Sequence, residues 1–196
     1  LFKTNMYEYQ IQSAKHKFGS WIVMLYDSNL EENKELKNHP YLNESGKASI
    51  DNYVYEEGEC TDIKVGYMTD EFLRIGNISL QCGRMPEKDD EAAIEWDSLI
   101  KLNQGTQIGQ EIHIEVRQGS SQTTETIEKT YKLTGILTNY TNVWNGGEYI
   151  PGIVVTEGEG EAVNRIGKAA YIYSSNNYIN NYRDIYDGLV KKTHKE

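Results

Sequence analysis

The sequence has 196 residues, of which 38% are hydrophobic and 26% charged, a composition that suits a folded globular chain and excludes disordered and collagen-like classes. Its 20 basic and 30 acidic side chains give a formal net charge of −10, which disfavours binding to nucleic acid because such proteins need a basic face. The apolar runs, of which Trp21–Leu25 is among the longest, are too short to cross a bilayer.

The two cysteines, Cys60 and Cys82, are too few for a fold that depends on disulfides. Two interpretations are open. The cysteines could pair outside the cell, closing a loop worth about 3 kcal/mol on the chain-entropy model, or they could be two free, buried thiols. Because Cys82 falls in an alternating segment, we expect it to be a buried structural residue rather than a catalytic thiol.

The N-terminal part of the chain predicts a β-α-β unit. The apolar run Trp21–Tyr26 is typical of a buried strand. Ser28 and Glu31 have the spacing of a capping box and predict a helix that Pro40 ends, since proline cannot continue the helical hydrogen bonds. A strand within Ala48–Tyr55 completes the unit.

Shorter elements follow this unit. Thr61–Met68 alternates strictly and predicts a strand, and Asp70 is expected to cap a helix over Glu71–Ile75. A further alternating strand, Ile78–Cys82, leads into a charged turn over Glu87–Glu91.

The middle of the chain carries the clearest strand pattern. After a short apolar strand at Ala92–Glu95 and a helix over Trp96–Leu102, the segment Gln110–Arg117 alternates between apolar and charged side chains. Ile127–Gly135 resumes the alternation, so the two segments predict a long β-hairpin with His113 on its polar, solvent-facing side.

The C-terminal part predicts a second β-α-β unit, with strands at Tyr149–Val155 and Ala169–Tyr173 and a helix over Gly158–Ile166 between them. A final helix over Asn176–Lys192 leads out of the domain. Its apolar face consists of Tyr178, Tyr182, Ile185 and Leu189.

Neither a phosphate-binding loop nor a zinc-protease motif nor a nucleophile elbow is present in the sequence. The four histidines are scattered, and acidic groups such as Glu56-Glu57 are expected to be solvated rather than paired across a cleft. The sequence therefore predicts no catalytic residues, no cofactor and no metal site, and a protein that is not an enzyme.

Aromatic residues provide the candidate contact site. The chain has 15 tyrosines and only three phenylalanines, and Trp144 lies in a loop rich in asparagine and glycine, between Tyr140 and Tyr149. These three side chains are candidates for contact with a partner, since aromatic residues dominate binding hot spots. The alternative, slightly favoured, is that Trp144 folds back and covers the end of the hairpin.

Five segments in a fixed order suggest a family. They are Gly66–Phe72, Leu80–Pro86 with its Gly-Arg-Met-Pro turn, Glu91–Ile94 with its leading acidic residue, Ile108–Ile114, and Tyr131–Leu137 with its Tyr-Lys-Leu-Thr-Gly-Ile pattern. In this order the segments resemble the extracytoplasmic domain of FtsX-like, or MacB-type, ABC transporter permeases. No single segment is specific, and the order and spacing carry the resemblance.

The resemblance implies an α+β fold with mixed sheets. Residues 1–85 and 148–196 would form a porter-like lobe of β-α-β units, and residues 86–147 a small inserted α/β lobe with the long hairpin. The sequence departs from the family at Gln110, where aspartate is usual. We expect this departure to weaken a contact in the turn.

The function that the resemblance implies is that of a non-catalytic extracytoplasmic domain at the cell membrane of a Gram-positive type bacterium. Such a domain couples ATP-driven motion to substrate export or to an outer partner. Its implied partners are its own membrane helices, expected immediately before Leu1 and after Glu196, a cytoplasmic ATP-binding subunit or domain, and a second permease domain. The alternative is a secreted carbohydrate- or peptide-binding module, suggested by the tyrosines and Trp144. A secreted carboxylate hydrolase is a weaker third hypothesis.

Overall fold

The computed structural model describes residues 2–26, 36–40, 42–118, 125–144, 148–157 and 168–175. Three α-helices and nine β-strands are described in full. The helices are α1 (Phe2–Phe18), α2 (Asp70–Ile75) and α3 (Trp96–Lys101). The strands are β1 (Trp21–Tyr26), β2 (Ser45–Glu56), β3 (Glu59–Met68), β4 (Leu80–Gly83), β5 (Glu91–Glu95), β6 (Glu111–Gln118), β7 (Glu125–Leu137), β8 (Ile153–Val154) and β9 (Lys168–Ser174).

The nine described strands form one mixed sheet in the order β1-β9-β2-β3-β8-β5-β7-β4, with β6 pairing to both β2 and β7. Most neighbours are antiparallel, whereas β3 with β8 and β5 with β7 are parallel. Helices and a mixed sheet in one chain confirm the predicted α+β class.

The N-terminal β-α-β arrangement is split by a third strand. β9 lies between β1 and β2 and is antiparallel to both, so β1 and β2 run parallel to each other without touching. The register places Trp21, at the start of β1, opposite Ser174, at the end of β9. Among the described strands, the start of the first therefore lies beside the end of the last.

The sheet separates two apolar cores. The central strands are buried on both faces: Ala92 and Ile94 of β5 face the first core, and Ala93 faces the second. The first core contains Val54, Ile63, Val65, Ala92, Ile94, Leu99, Leu102, Ile112, Ile114, Val116, Tyr131, Leu133, Ile136, Ile153 and Val155. The second core contains Ala48, Met68, Phe72, Ile75, Ile78, Ala93, Leu137, Tyr140, Trp144, Ile150, Val154, Ala170 and Ile172.

The predicted hairpin of β6 and β7 is confirmed, with Ile112, Ile114 and Val116 buried and His113 on the exposed face. His113 Nδ1 lies 2.9 Å from the Glu128 carboxylate and 3.1 Å from the Thr130 hydroxyl. The alternation of β6 identified its faces correctly because only one face of that strand packs on a core.

Three local predictions are corrected. The strand expected over Tyr149–Val155 is only Ile153–Val154, because Pro151 has no amide hydrogen to give to a strand ladder. The cap of α2 is Thr69, whose side chain accepts a hydrogen bond from the amide of Phe72, and not Asp70, which is the first helical residue. Cys82 is exposed rather than buried, since β4 is the last of the described strands at its edge of the sheet.

Some predictions fall wholly or partly outside the described residues. Leu36 and Lys37 are helical and the chain turns at Asn38, before Pro40, but the earlier part of that predicted helix is not described. The helices predicted over 158–166 and 176–192 also lie outside the described residues. The division into two lobes stays a prediction.

Candidate functional site

The loop that follows β7, residues 139–144, is fixed to the fold by one buried carboxylate. Glu95 Oε1 accepts hydrogen bonds from the backbone amides of Tyr140 (2.6 Å) and Thr141 (2.8 Å). Its Oε2 accepts from the hydroxyls of Thr141 (2.7 Å) and Ser98 (3.2 Å). Glu95 is fully buried, so these four bonds replace its hydration. The carboxylate thereby sets the position of the whole 139–144 loop.

A second carboxylate holds the same loop from its exposed side. Asp97 accepts hydrogen bonds from the side-chain amides of Asn139 (2.6 Å) and Asn142 (3.0 Å), and its backbone amide donates to Asn139 Oδ1 (2.9 Å). The two acidic residues lie at the junction of β5 with α3. The buried side and the exposed side of the loop are therefore both attached to the same corner of the fold, between β5 and α3.

Tyr140, the first candidate contact residue, points into the second core. Its hydroxyl donates to the backbone carbonyl of Pro151, and its side chain is buried. Burial raises the pKa of Tyr140 well above its usual value, and the nearby Glu95 carboxylate raises it further. Tyr140 is thus a neutral hydrogen-bond donor inside the protein.

Trp144 is also buried, as the favoured interpretation expected. Its ring centroid lies 5.6 Å from that of Trp21 and 5.5 Å from that of Phe72. A side-chain carbon added at Gly76 would lie 2.9 Å from the Trp144 ring, so glycine is required for this close approach. The ring joins the 139–144 loop to α2 and β1, in the same core as Leu137 at the end of β7.

An apolar groove of about 570 Å³ opens beside Trp144. Phe18 and Tyr26 line it and are 39% and 43% exposed, although both side chains are large and apolar. The other lining residues are Ala14, Gly19, Trp21, Ile22, Met24, Val143 and Trp144. Exposed apolar patches that are larger than those of ordinary protein surfaces commonly mark places where another molecule binds.

Tyr149, the third candidate, lies at the Tyr26 end of this groove. The two rings have centroids 4.4 Å apart and are tilted by 37°. Trp144 thus lines the groove and Tyr149 lies half-buried beside Tyr26, whereas Tyr140 is buried in the second core and does not line the groove. Contact between these residues and a partner stays a prediction.

An ion pair joins the Gly-Arg-x-Pro turn to Glu91, the acidic residue that begins β5. Arg84 donates to both carboxylate oxygens of Glu91, at 2.8 and 2.6 Å, and the amide of Glu87 donates to Oε2 at 3.0 Å. Hydrogen bonds from Arg84 and the Glu87 amide lower the pKa of the Glu91 carboxyl to about 2. Gly83 adopts φ of +78°, the left-handed conformation that this turn requires.

Gln110, the departure from the family pattern, takes part in its own turn. Its Oε1 accepts from the amide of Gln107 (3.1 Å), and its Nε2 donates to the carbonyl of Gly105 (2.6 Å). Gln110, whose side chain is longer than that of aspartate, thus closes the turn before β6 with two hydrogen bonds.

We expect Glu91→Gln to destabilise the protein at neutral pH, because the nearly buried carboxylate loses its charge while Arg84 keeps its own. The pKa of Glu91 is lowered from 4.5 to about 2, so the carboxylate stabilises the fold fully above about pH 4.5. The stabilisation is lost as the pH falls toward 2. Urea unfolding curves should therefore differ most between wild type and variant at neutral pH and converge in acid.

Glu44→Gln is the matched control for this variant. Arg74 contacts both oxygens of Glu44 at 2.6 and 2.9 Å, the same two-bond geometry, but the Glu44 side chain is 44% exposed against 5% for Glu91. Solvent screens an exposed pair, so its loss should be nearly neutral. Equal effects of the two substitutions would contradict a structural role for the Arg84–Glu91 pair.

The described residues hold no group of three or more histidine, cysteine, aspartate or glutamate side chains arranged to bind a metal ion. Cys60 and Cys82 are both free and exposed, so the interpretation as a disulfide does not hold in this structure. Within the described part of the chain, no helix is both long and apolar enough to span a membrane.

Sequence comparison finds no matching family model and no matching curated protein. The solved structures similar to the fold include two crystal structures. One is a domain of a protein from Porphyromonas gingivalis described as a permease, with a TM-score of 0.44 and 10% identity over 92% of this chain and 79% of the other. The second is the extracellular domain of the noncanonic ABC-type transporter YknZ from Gram-positive bacteria, with a TM-score of 0.47 and 14% identity over 85% and 84%.

Proposed function

We propose that this chain is a non-catalytic extracytoplasmic domain of an ABC transporter permease, carried between two membrane helices. The observation that supports this most is the pairing of Trp21 with Ser174, which brings the start of the first described strand and the end of the last side by side. A domain inserted between two neighbouring membrane helices needs its two ends close together. The order of the five family-like segments supports the same proposal.

The segment that leads from α1 into β1 is firmly joined to the fold. Where α1 ends, the amide of Ser20 donates to the carbonyl of Ile75 (2.7 Å), and the Asn77 side-chain amide donates to the carbonyl of His16. Gly19 is needed here, because an added side-chain carbon would lie 2.2 Å from the Ile75 oxygen. A displacement of α1 would therefore be passed directly to the end of α2.

From α2 the displacement reaches the proposed contact surface. Phe72 of α2 packs on Trp144, and Trp144 packs on Trp21 at the start of β1. Motion driven by a cytoplasmic ATP-binding subunit or domain would move these aromatic rings together and change the shape of the groove beside them. Export of a substrate, or control of an outer partner, would use this coupling.

The groove also supports a second candidate function, a secreted carbohydrate- or peptide-binding module. Its half-exposed rings, Phe18 and Tyr26, are the kind of surface that such a module offers. The two candidates differ in attachment, since a secreted module would be released from the cell and the permease domain would remain in the membrane.

Thiol labelling of the intact polypeptide in its source cells tests the proposal. Cys60 and Cys82 are both exposed, so a small charged thiol reagent that does not cross the cytoplasmic membrane should label them after brief mild reduction. We expect a labelled polypeptide in the membrane fraction, and loss of that label in a variant with Cys60→Ser and Cys82→Ser. A soluble, labelled polypeptide would favour the secreted module, and labelling only after permeabilisation would exclude both.

A further inference from the structure

The groove beside Trp144 lies between α1 and one face of β1, to which Ile22 and Met24 contribute. β1 is the outermost of the described strands at this edge of the sheet, and none of its six side chains is fully buried. None of the described lining residues is charged, and the indole nitrogen of Trp21 already donates to the carbonyl of Phe18 (2.7 Å). The groove therefore offers apolar contacts, and its volume of about 570 Å³ is within the range of small-molecule sites.

Cationic side chains lie at the end of the groove that Phe18 lines. Lys15, His16 and Lys17 are the basic residues in the last turn of α1. The Lys17 Nζ is 5.1 Å from the centroid of the Phe18 ring, so its ammonium group stands at the rim of the groove. No carboxylate of the described residues lies within ion-pair distance of Lys17. An apolar groove thus ends beside a positive charge that the described residues do not neutralise.

The end of α1 does not need Lys17 as a cap. Cations in the last turn of a helix commonly serve the carbonyls that the helix leaves unpaired. Here the carbonyl of Lys15 accepts from the amide of Gly19 (2.9 Å), and the carbonyl of Phe18 accepts from the Trp21 indole (2.7 Å). The Lys17 ammonium lies over an aromatic ring instead, at the place where the groove opens. Its charge is therefore available to a molecule that enters the groove.

We propose that the groove binds a single-chain anionic amphiphile, a molecule of the fatty-acid type. The alkyl chain lies along the groove between Phe18 and Trp21, and the carboxylate meets the ammonium group of Lys17. Charge complementarity supports an anionic head group, since the cations gather at one end of this groove on a chain with a net charge of −10. The groove is concave, which suits one alkyl chain rather than a bilayer surface. The proposal holds whether the chain is attached to a membrane or secreted.

Calorimetric titration of the 196-residue chain with laurate, octanoate and dodecyltrimethylammonium, each below its micelle concentration, tests the site. We expect saturable binding of laurate, roughly a hundredfold tighter than that of octanoate, because each buried methylene tightens binding about fourfold. Laurate should also bind about tenfold tighter than the cation of equal chain length. Failure of laurate to bind, as when another part of the chain fills the groove, would overturn the proposal. Equal affinity for laurate and dodecyltrimethylammonium would overturn the anionic head group.

Three variants locate the binding. Ala14→Trp fills the groove from an exposed position on α1, and should abolish laurate binding while urea unfolding stays unchanged. Lys17→Met should weaken laurate binding about tenfold without weakening that of dodecyltrimethylammonium. Lys129→Met is the matched control, because the Lys129 ammonium also lies over a ring, 5.8 Å from the centroid of Tyr131, but does not line the groove. Equal weakening by Lys17→Met and Lys129→Met would mean that only net charge matters, and would contradict the site.

Discussion

Replacing Glu95 by alanine should lower the free energy of unfolding by about 3–5 kcal/mol, the cost of breaking a buried polar cluster by removing one partner. The substitution leaves the amides of Tyr140 and Thr141 and the hydroxyl of Ser98 without the acceptors that now replace water. It also opens a cavity in the corner between β5 and α3. Urea unfolding followed by tryptophan fluorescence measures the loss directly.

The Glu95→Gln variant separates the contribution of the hydrogen bonds to stability from the contribution of the charge. A glutamine oxygen in the place of Oε1 still accepts from both backbone amides, and its NH₂ group can donate to the hydroxyls of Thr141 and Ser98. We expect this variant to lose much less stability than Glu95→Ala. Asp97→Ala, which removes the exposed attachment of the same loop, should cost about 1 kcal/mol. A small effect of Glu95→Ala would contradict the role of Glu95 in fixing the 139–144 loop.

The second large effect is expected from Trp144→Ala, at about 3–5 kcal/mol of unfolding free energy. The substitution removes the ring that packs against Trp21 and Phe72, and the rigid backbone around Gly76 cannot close the space. Trp144→Phe keeps part of the aromatic contact and should cost less. Thermal and urea unfolding of the purified chain give both values.

Trp96→Ala is the matched control for that loss, because Trp96 is 38% exposed on α3 whereas Trp144 is 6% exposed. Truncating the exposed ring should change stability by well under half as much. If the two substitutions had similar small effects, Trp144 would have to lie at the surface in solution. It would then be free to contact a partner directly, as the interpretation of its loop as a contact site requires.

The elements that the sequence predicted well are those whose pattern follows from one buried face. The alternation along β6 needs only neighbouring residues to reveal which side packs on the core. Central strands are harder to place, because β5 is buried on both faces and shows no alternation. Its apolar run still marked it as a strand, but nothing local indicated which of its residues face each core.

The features that the sequence did not reveal depend on residues far apart in the chain. Glu95 bonds Tyr140, 45 positions later, so nothing in the local pattern of the strand Ala92–Glu95 indicated that its last residue anchors a distant loop. The Arg84–Glu91 pair joins two motifs that were noticed separately. The exposure of Cys82 follows from the place of β4 at the sheet edge, which only the strand order shows.

The cap of α2 shows that sequence rules for helix ends can fail even between two neighbouring residues. Thr69 and Asp70 are both good capping residues, and the charge of Asp70 also suits the first turn of a helix. The backbone decides between them: Thr69 is extended, with φ −71° and ψ 156°, while Asp70 is already helical. The amide of Lys47 also donates to the Thr69 hydroxyl, which ties the cap to β2.

Thiol labelling in intact cells decides whether this chain is an extracytoplasmic domain of a membrane protein, because attachment to the membrane and exposure outside it are read on one polypeptide. We expect the membrane fraction to contain a labelled polypeptide, and we expect the Cys60→Ser and Cys82→Ser substitutions together to remove the label from this domain. A polypeptide that is labelled only after the cytoplasmic membrane has been opened would contradict an extracytoplasmic location.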